Sequence, residues 1–482
     1  MMGYFSILMF SLSFVNLCRT AGSSVPKIGI IGGGIGGSSA AYFLQELFGE
    51  NNLTTDVFEY NRIGGRLATE VLKGNYYEAG GAIIHPRNKY MSDFVALFDL
   101  KKRNGGEPSA FGLYDGEDFV FSESSESWQL WNAVKLLWRY GIDTFKLKSF
   151  IDDMLDHFSR IYTLQDEGVS FESVEEMLFA MNKEFVKYLH VSSEDGFRKS
   201  GFSERVISEL ILATLLVNYG QTTDVHKFVG AVSVAGGTPG LWAVEGGNYL
   251  VAEKLLEASN ATLIKGQVMN VTLLPGGEKF QLFFSSPQQK IESRIYDIVI
   301  LAAPVAANVK PNIQFSGFPS AFTFPGKYHQ TVCTILKGDL NNKFFKLDNY
   351  QIQEILSING SLFFNSIGRI YPVNSKKKCD KCFVWKIFSQ MPLQKDDLQK
   401  LFVNIEEIKT ISWRAYPHYD TKHFSRNFVL YKNLFHINAI EWAASAMEMS
   451  AVGAKNVALL AYKNWFNHSS DAYKQTATKE EL

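Results

Sequence analysis

The stretch IGIIGGGIGGSSAAYFLQE, residues 28–46, constrains the fold more than any other part of this chain. Glycine loses more backbone freedom on ordering than any other residue, so a cluster of them needs a compensating reason. Lys27 to Ile31 is a short apolar run of buried-strand character, and Ser38 to Phe48 has the apolar spacing of a helix. TTDVFEY, Thr54 to Tyr60, reads as a second strand ending near the acidic Glu59. Strand, glycine turn, helix and strand make a βαβ unit.

Within the turn, Gly32, Gly34 and Gly37 fit G-x-G-x-x-G. The first permits a tight bend, the second lets backbone approach a pyrophosphate, and the third lets helix and strand pack closely. Amides at the helix N-terminus suit phosphates, and Glu59 can accept from ribose hydroxyls. The pattern predicts a dinucleotide site. RIGGRLAT follows almost at once, where Gly64 and Gly65 offer further backbone donors and Arg66 a guanidinium to the same pyrophosphate.

With 482 residues, 46% of them hydrophobic, the chain can bury a large core and form two or three domains. Its formal net charge of −1 supplies no field that would draw it to nucleic acid. Aromatic residues reach 14%, with 38 Phe, which suits either a Phe-rich core or a site for an apolar ligand. Residues 1–22 read as a signal peptide, with an uncleaved anchor as the alternative. In the secretory pathway, sequons at Asn52, Asn260, Asn270, Asn359 and Asn467 become glycosylation candidates. The terminal Lys479, Glu480, Glu481 and Leu482 resemble a KDEL-type retrieval signal. Cys379 and Cys382 form a lone CxxC, which reads as a local disulfide or two idle thiols; no metal site is expected.

Along the chain, Trp128 to about Tyr162 is helical in period and interrupted at Gly141, and Val174 to Leu216 continues in that manner. GQVMNVTLL and KFQLFFSS alternate as a hairpin around Pro275, Gly276 and Gly277, and YDIVILAAP at Tyr296 to Pro304 is another buried parallel-type strand. The end reads as a strand, a loop and a long alanine-rich helix.

These phrases together resemble the FAD-binding superfamily of flavin amine oxidases, phytoene desaturases and Rab GDP-dissociation inhibitors. YEAGGAIIHP, with Gly80 and Gly81, looks like its flavin-proximal strand and turn; Val268 is placed like the residue whose backbone pairs with adenine. Asn438 to Ala458 is similar to the segment that binds ribitol and the flavin pyrimidine edge, with Glu441 in the acidic position and Met449 where that pattern carries glycine. GGRLAT, VNYGQ, LWAVEGGN, VWKIFSQ, AYPHY and EWAASAMEMSA narrow the resemblance to the prenylcysteine oxidase family.

The resemblance implies an α/β fold: a Rossmann-like FAD-binding domain built from discontinuous segments, with an inserted mixed α+β substrate domain. The expected parts are 23–85, 233–310 and 425–467 for FAD, 86–232 (largely helical) and 311–424 for substrate, and a tail at 468–482. It further implies a lysosomal oxidase that uses molecular oxygen to convert farnesyl- or geranylgeranyl-cysteine to cysteine, an isoprenoid aldehyde and hydrogen peroxide. A prenyl-binding carrier and a flavin amine oxidase are the competing readings.

The substrate's C1 is both allylic and bonded to sulfur, so loss of hydride leaves a cation delocalised over alkene and thioether. The protein then has chiefly to orient C1 in an apolar groove, and no nucleophile–base–acid constellation is expected. His85, His226 and His418 are candidates for proton movement or merely hydrogen-bonded histidines. Trp413, Tyr416 and Tyr419 are candidates for packing against cofactor or prenyl chain, or for core. The Trp-rich helices from Trp128 to Trp138 would wall the groove, touch a membrane surface, or simply pack.

Overall fold

The computed structural model describes residues 25–480 apart from 105–109, 123–128, 311, 348–351, 375–382 and 423–425. The leader, Trp128, Cys379, Cys382 and the last two residues lie outside the described residues.

Strand β1 (Lys27–Ile31), helix α1 (Ile35–Phe48) and β2 (Thr54–Glu59) form the expected βαβ unit, with β1 and β2 parallel and Ile31 opposite Phe58. The helix begins at Ile35, ahead of the Ser38 that apolar spacing suggested, because the glycine bend itself supplies its first turn. Beyond β2 lies β3 (Thr262–Lys265); on the other side of β1 come β4 (Ile298–Leu301) and then β10 (Leu434–His436), all parallel. Segments far apart in sequence therefore share one sheet. Its central strands are apolar throughout because both faces are covered. A four-stranded sheet containing Gln267–Leu273 packs on one face, where Leu282 and Tyr296 reach within 3.0 Å of where a Cβ on Gly29 would stand.

The other face carries α1 and the long helix α5 (Met447–Glu480). In its buried half α5 presents Ala451, Ala454 and Ala458, whose short side chains let the helices approach closely.

A seven-stranded sheet forms the second layer system. Its core strands are β5 (Tyr328–Leu340), β6 (Glu354–Ser357), β7 (Ser366–Ile370), β8 (Val384–Ser389) and β9 (Phe402–Pro417), in the order β9-β5-β8-β7-β6. Phe111–Tyr114 and Phe119–Ser122 complete the far edge. These two strands belong to the 86–232 segment read as largely helical; each has only four residues, too few to show a period.

The helical part holds α2 (Gln129–Tyr140), α3 (Asp143–Asp166) and α4 (Lys227–Ala235). Gly141 breaks the first two apart at φ +59°, a left-handed conformation that glycine adopts without strain.

Candidate functional site

The glycines of the first turn fall into two kinds. Gly32 has φ +114° and the oxygen of Ala302 stands 2.7 Å from where its Cβ would be; for Gly37 the Gly32 oxygen stands at 1.9 Å. Backbone contact forbids a side chain at both. At Gly34 and Gly65, by contrast, the nearest atoms are 3.8 and 3.6 Å from a Cβ, so these positions open onto a hollow. Gly34 caps α1 without any side-chain hydrogen bond, which leaves that end of the helix for an anion. Glu59 braces the bend, accepting the Gly33 N–H at 2.9 Å and the Asn61 N–H at 2.7 Å.

The hollow is one end of a cavity of about 1250 Å³. It gathers the glycines Gly32, Gly34, Gly64, Gly65, Gly80 and Gly81 together with Glu59, Arg66, Val268, Glu441 and Met449. Gly37 lies behind the wall, in helix packing. Gly80 meets the oxygen of Arg66 at 1.8 Å from its absent Cβ, with Trp413 at 3.2 Å, so the turn passes between main chain and an indole.

Arg66 and Glu441 were expected to take separate parts of a cofactor, but here they take each other. The Arg66 guanidinium forks onto both carboxylate oxygens of Glu441 and also donates to the Ala415 carbonyl. Glu441, 1% exposed, accepts in addition from Tyr328 Oη at 2.9 Å and Asn438 Nδ2 at 2.7 Å. In this structure the partners of the Arg66 guanidinium are the Glu441 carboxylate and the Ala415 carbonyl. Tyr328 gave no sign of this role in the sequence.

Among the candidate aromatic and histidine residues, His85, Trp413 and Tyr416 face the cavity, whereas His418 and Tyr419 lie outside its lining. His85 Nδ1 accepts the Arg87 N–H at 3.1 Å, so Nε2 carries the proton and donates to Thr238 Oγ1 at 2.9 Å. Burial and the nearby Arg87 charge hold it below its ordinary value. Tyr416 packs edge-on to Tyr219 at 5.2 Å, and burial pushes its phenol up to about 12. Tyr419 Oη accepts the Ser445 N–H at 2.9 Å, which ties the aromatic strand end to the loop before α5.

His226 is a helix cap. Its Nδ1 accepts the Val229 N–H at the start of α4 and its Nε2–H donates to the Trp442 carbonyl at 3.0 Å; burial pulls its pKa down to about 4. A neutral ring with both nitrogens occupied does not shuttle protons.

The sequons divide by environment. Asn260 and Asn467 are exposed, while Asn52 and Asn359 donate their side-chain amides to the carbonyls of Phe48 and Asp115. Asn270 lies within a strand and accepts from Thr272 and Ser316.

The glycine cradle opens into a broad chamber beside the seven-stranded sheet, and solved amine oxidases share this fold. Cyclohexylamine oxidase from Brevibacterium oxydans superposes with a TM-score of 0.58 at 14% identity, covering 91% of this chain and 99% of that one. A putrescine oxidase variant gives 0.58 at 12% identity over 90% and 98%. Residues 30–98 match the model of an NAD(P)-binding Rossmann-like domain, and residues 122–475 match that of prenylcysteine lyase. The chain is 40% identical to prenylcysteine oxidase 1 of Bos taurus over 98% of both proteins. It is 36% identical to human prenylcysteine oxidase 1-like over 95% of each. The chain belongs to the prenylcysteine lyase family.

Proposed function

We propose that this protein is an FAD-dependent oxidase of the thioether in farnesyl- or geranylgeranyl-cysteine. The observation that carries this reading is the single cavity running from the Gly34 and Gly65 cradle to an apolar chamber that includes Met154, Leu155 and Phe158 of α3. Its size exceeds the roughly 300–1,000 Å³ of an ordinary small-molecule pocket, as a site for both a dinucleotide and a long-tailed substrate must.

In this reading Gly32 and Gly34, with the N-terminus of α1, take the diphosphate, Glu59 the ribose, and the Val268 backbone the adenine. Gly64, Gly65, Gly80, Gly81 and Met449 shape the channel beyond. Glu441, pinned by Arg66, Tyr328 and Asn438, fixes the loop facing the ribitol and pyrimidine edge. The nucleotide domain would comprise 23–85, 233–310 and 425–467, and the substrate domain 86–232 and 311–424.

FAD held there would supply hydride acceptance from C1 and return of the electrons to oxygen. The balance is thioether, water and oxygen to aldehyde, cysteine and hydrogen peroxide. What the protein contributes is placement: Trp413 and Tyr416 confine the reacting end, and the apolar wall excludes bulk water from the tail. His85 holds its proton toward Thr238 and orients the wall.

The apolar tip where α2 meets α3 supports a peripheral membrane contact. Trp138 is 88% exposed there, beside exposed Ile142 and Phe145. A route through the secretory pathway to the lysosome agrees with the leader and with the exposed Asn260 and Asn467. Among the described residues no helix is long and apolar enough to cross a membrane.

Peroxide release from farnesylcysteine, compared with putrescine as a simple amine, tests the reading. Release from farnesylcysteine alone is expected; release from the amine alone would replace it with an amine oxidase.

A further inference from the structure

Trp413 and Tyr416 both line the cavity, although residues three apart on a regular strand point to opposite faces. The register shows how one strand delivers both. Thr331 on β5 stands opposite Trp413 and Gln330 opposite Arg414, but His329 stands opposite Tyr416, so Ala415 has no partner on β5. This extra residue resets the alternation, and Trp413 and Tyr416 come to share a face with Thr331 and His329. It is the face on which Ile411 and Trp413 pack with buried Cys333. Straightened, β9 would turn Tyr416 to the other side of the sheet.

A bulge leaves a peptide outside the ladder, and its polar groups need partners elsewhere. The Ala415 carbonyl accepts from Arg66, whose guanidinium also forks onto Glu441. Glu441 in turn accepts from Tyr328 Oη at 2.9 Å, and Tyr328 lies on β5, next to His329 and opposite Pro417. The ion pair therefore grips the bulge from both of its strands. Burial pushes the Tyr416 phenol up and the Arg66 charge pulls it back, so the guanidinium also lies within electrostatic reach of the ring that the bulge turns. Past the bulge Gln221 fixes the chain, donating to the Pro417 carbonyl at 3.0 Å and accepting the Tyr419 N–H at 2.9 Å.

We propose that Arg66 and Glu441 are positioning residues for the reacting end: they hold the Ala415 bulge, and the bulge keeps Tyr416 on the cavity face beside Trp413 and edge-on to Tyr219. That Tyr416 confines a substrate rests on the thioether-oxidase reading; the placement of its ring does not.

Two measurements on the full chain test this. In the first, Tyr416 is replaced by 3-fluorotyrosine, whose fluorine resonance reports the edge contact with Tyr219 at 5.2 Å. Arg66→Lys keeps a cation for Glu441 but lacks the planar fork that reaches both partners. It is expected to move the resonance toward the position that Tyr219→Leu gives, and Glu441→Gln, which breaks the fork, is expected to move it in the same direction. Phe345→Leu opens a cavity in a separate core cluster and should leave the resonance in place. A resonance that Arg66→Lys leaves unmoved, or that Phe345→Leu moves as far, would overturn the proposal.

The second measurement is equilibrium binding of S-farnesylcysteine with FAD in excess. Arg66→Lys and Tyr416→Ala are each expected to weaken it by about tenfold, and the double variant by no more than either alone. Additive losses, about a hundredfold together, would show that Arg66 acts by a route other than Tyr416 and would also overturn the proposal. Wild-type protein that binds no S-farnesylcysteine, while the fluorine shifts come out as expected, would remove the oxidase reading and leave the positioning role standing.

Discussion

Arg66 and Glu441 lie 375 residues apart in the chain and meet in a bidentate ion pair beside the cavity. The Glu441 side chain is almost wholly buried and the Arg66 side chain 31% exposed, so the two are unequal. Removing Arg66 strands a buried charge on Tyr328 and Asn438; removing Glu441 leaves an arginine that water can still reach.

Arg66→Met is therefore expected to destabilise the fold by about 2–4 kcal/mol, more than Glu441→Gln does. The double variant Arg66→Met/Glu441→Gln should recover part of the loss. Urea denaturation of the three variants checks this, and strict additivity would show that the pair is not coupled.

The two kinds of glycine in the first turn predict opposite outcomes for one chemical change. Gly34→Ala adds a methyl group that points into open space, so the melting temperature of the apoprotein should barely move while FAD retention falls by at least about tenfold. Gly37→Ala drives a methyl group into the Gly32 carbonyl and should lose both fold stability and cofactor. Thermal melts paired with flavin-to-protein ratios separate them.

Buried titratable groups set the pH dependence. Burial holds His226 and His436 at about 4 and about 3, against an ordinary 6.5. Below 6.5 the unfolded chain takes up protons that these rings refuse, so stability falls with pH down to those values, by about 1.4 kcal/mol per unit for each. His329 adds to the same trend, since burial holds it at about 4 as well. Glu448 acts in the opposite sense: burial raises it to about 7 from 4.5, so between those values the folded state keeps a proton that the unfolded chain releases, and stability rises as pH falls. The histidines outnumber the glutamate, and net stability is expected to decline from pH 7 to pH 5. His226→Gln should flatten the slope by close to one proton, measured as unfolding free energy against pH.

The exposed side chains at the α2–α3 junction predict membrane affinity that the fold does not need. Replacing Trp138, Ile142 and Phe145 with Ser should leave the melting temperature unchanged and lower flotation with phospholipid vesicles by at least about tenfold. Unaltered flotation would remove this tip from any membrane role.

The glycine bend was legible in the sequence because its spacing is local, with Gly37 closed by the nearby Gly32 carbonyl, although the Ala302 carbonyl that closes Gly32 comes from the far end of β4. The long helices and the break at Gly141 were legible for the same reason. The Arg66–Glu441 pair was not, since nothing near either residue names the other. For His226 the sequence left proton movement and simple hydrogen bonding both open, and the start of α4 resting on its Nδ1 decides for the second.

Anaerobic mixing of the purified full chain with S-farnesylcysteine tests the central claim most directly. The account predicts protein that is yellow as isolated and whose visible flavin absorption bleaches on mixing, then returns when oxygen is admitted with release of hydrogen peroxide. Colourless protein that takes up no added FAD, or bound flavin that S-farnesylcysteine leaves oxidised, would contradict it.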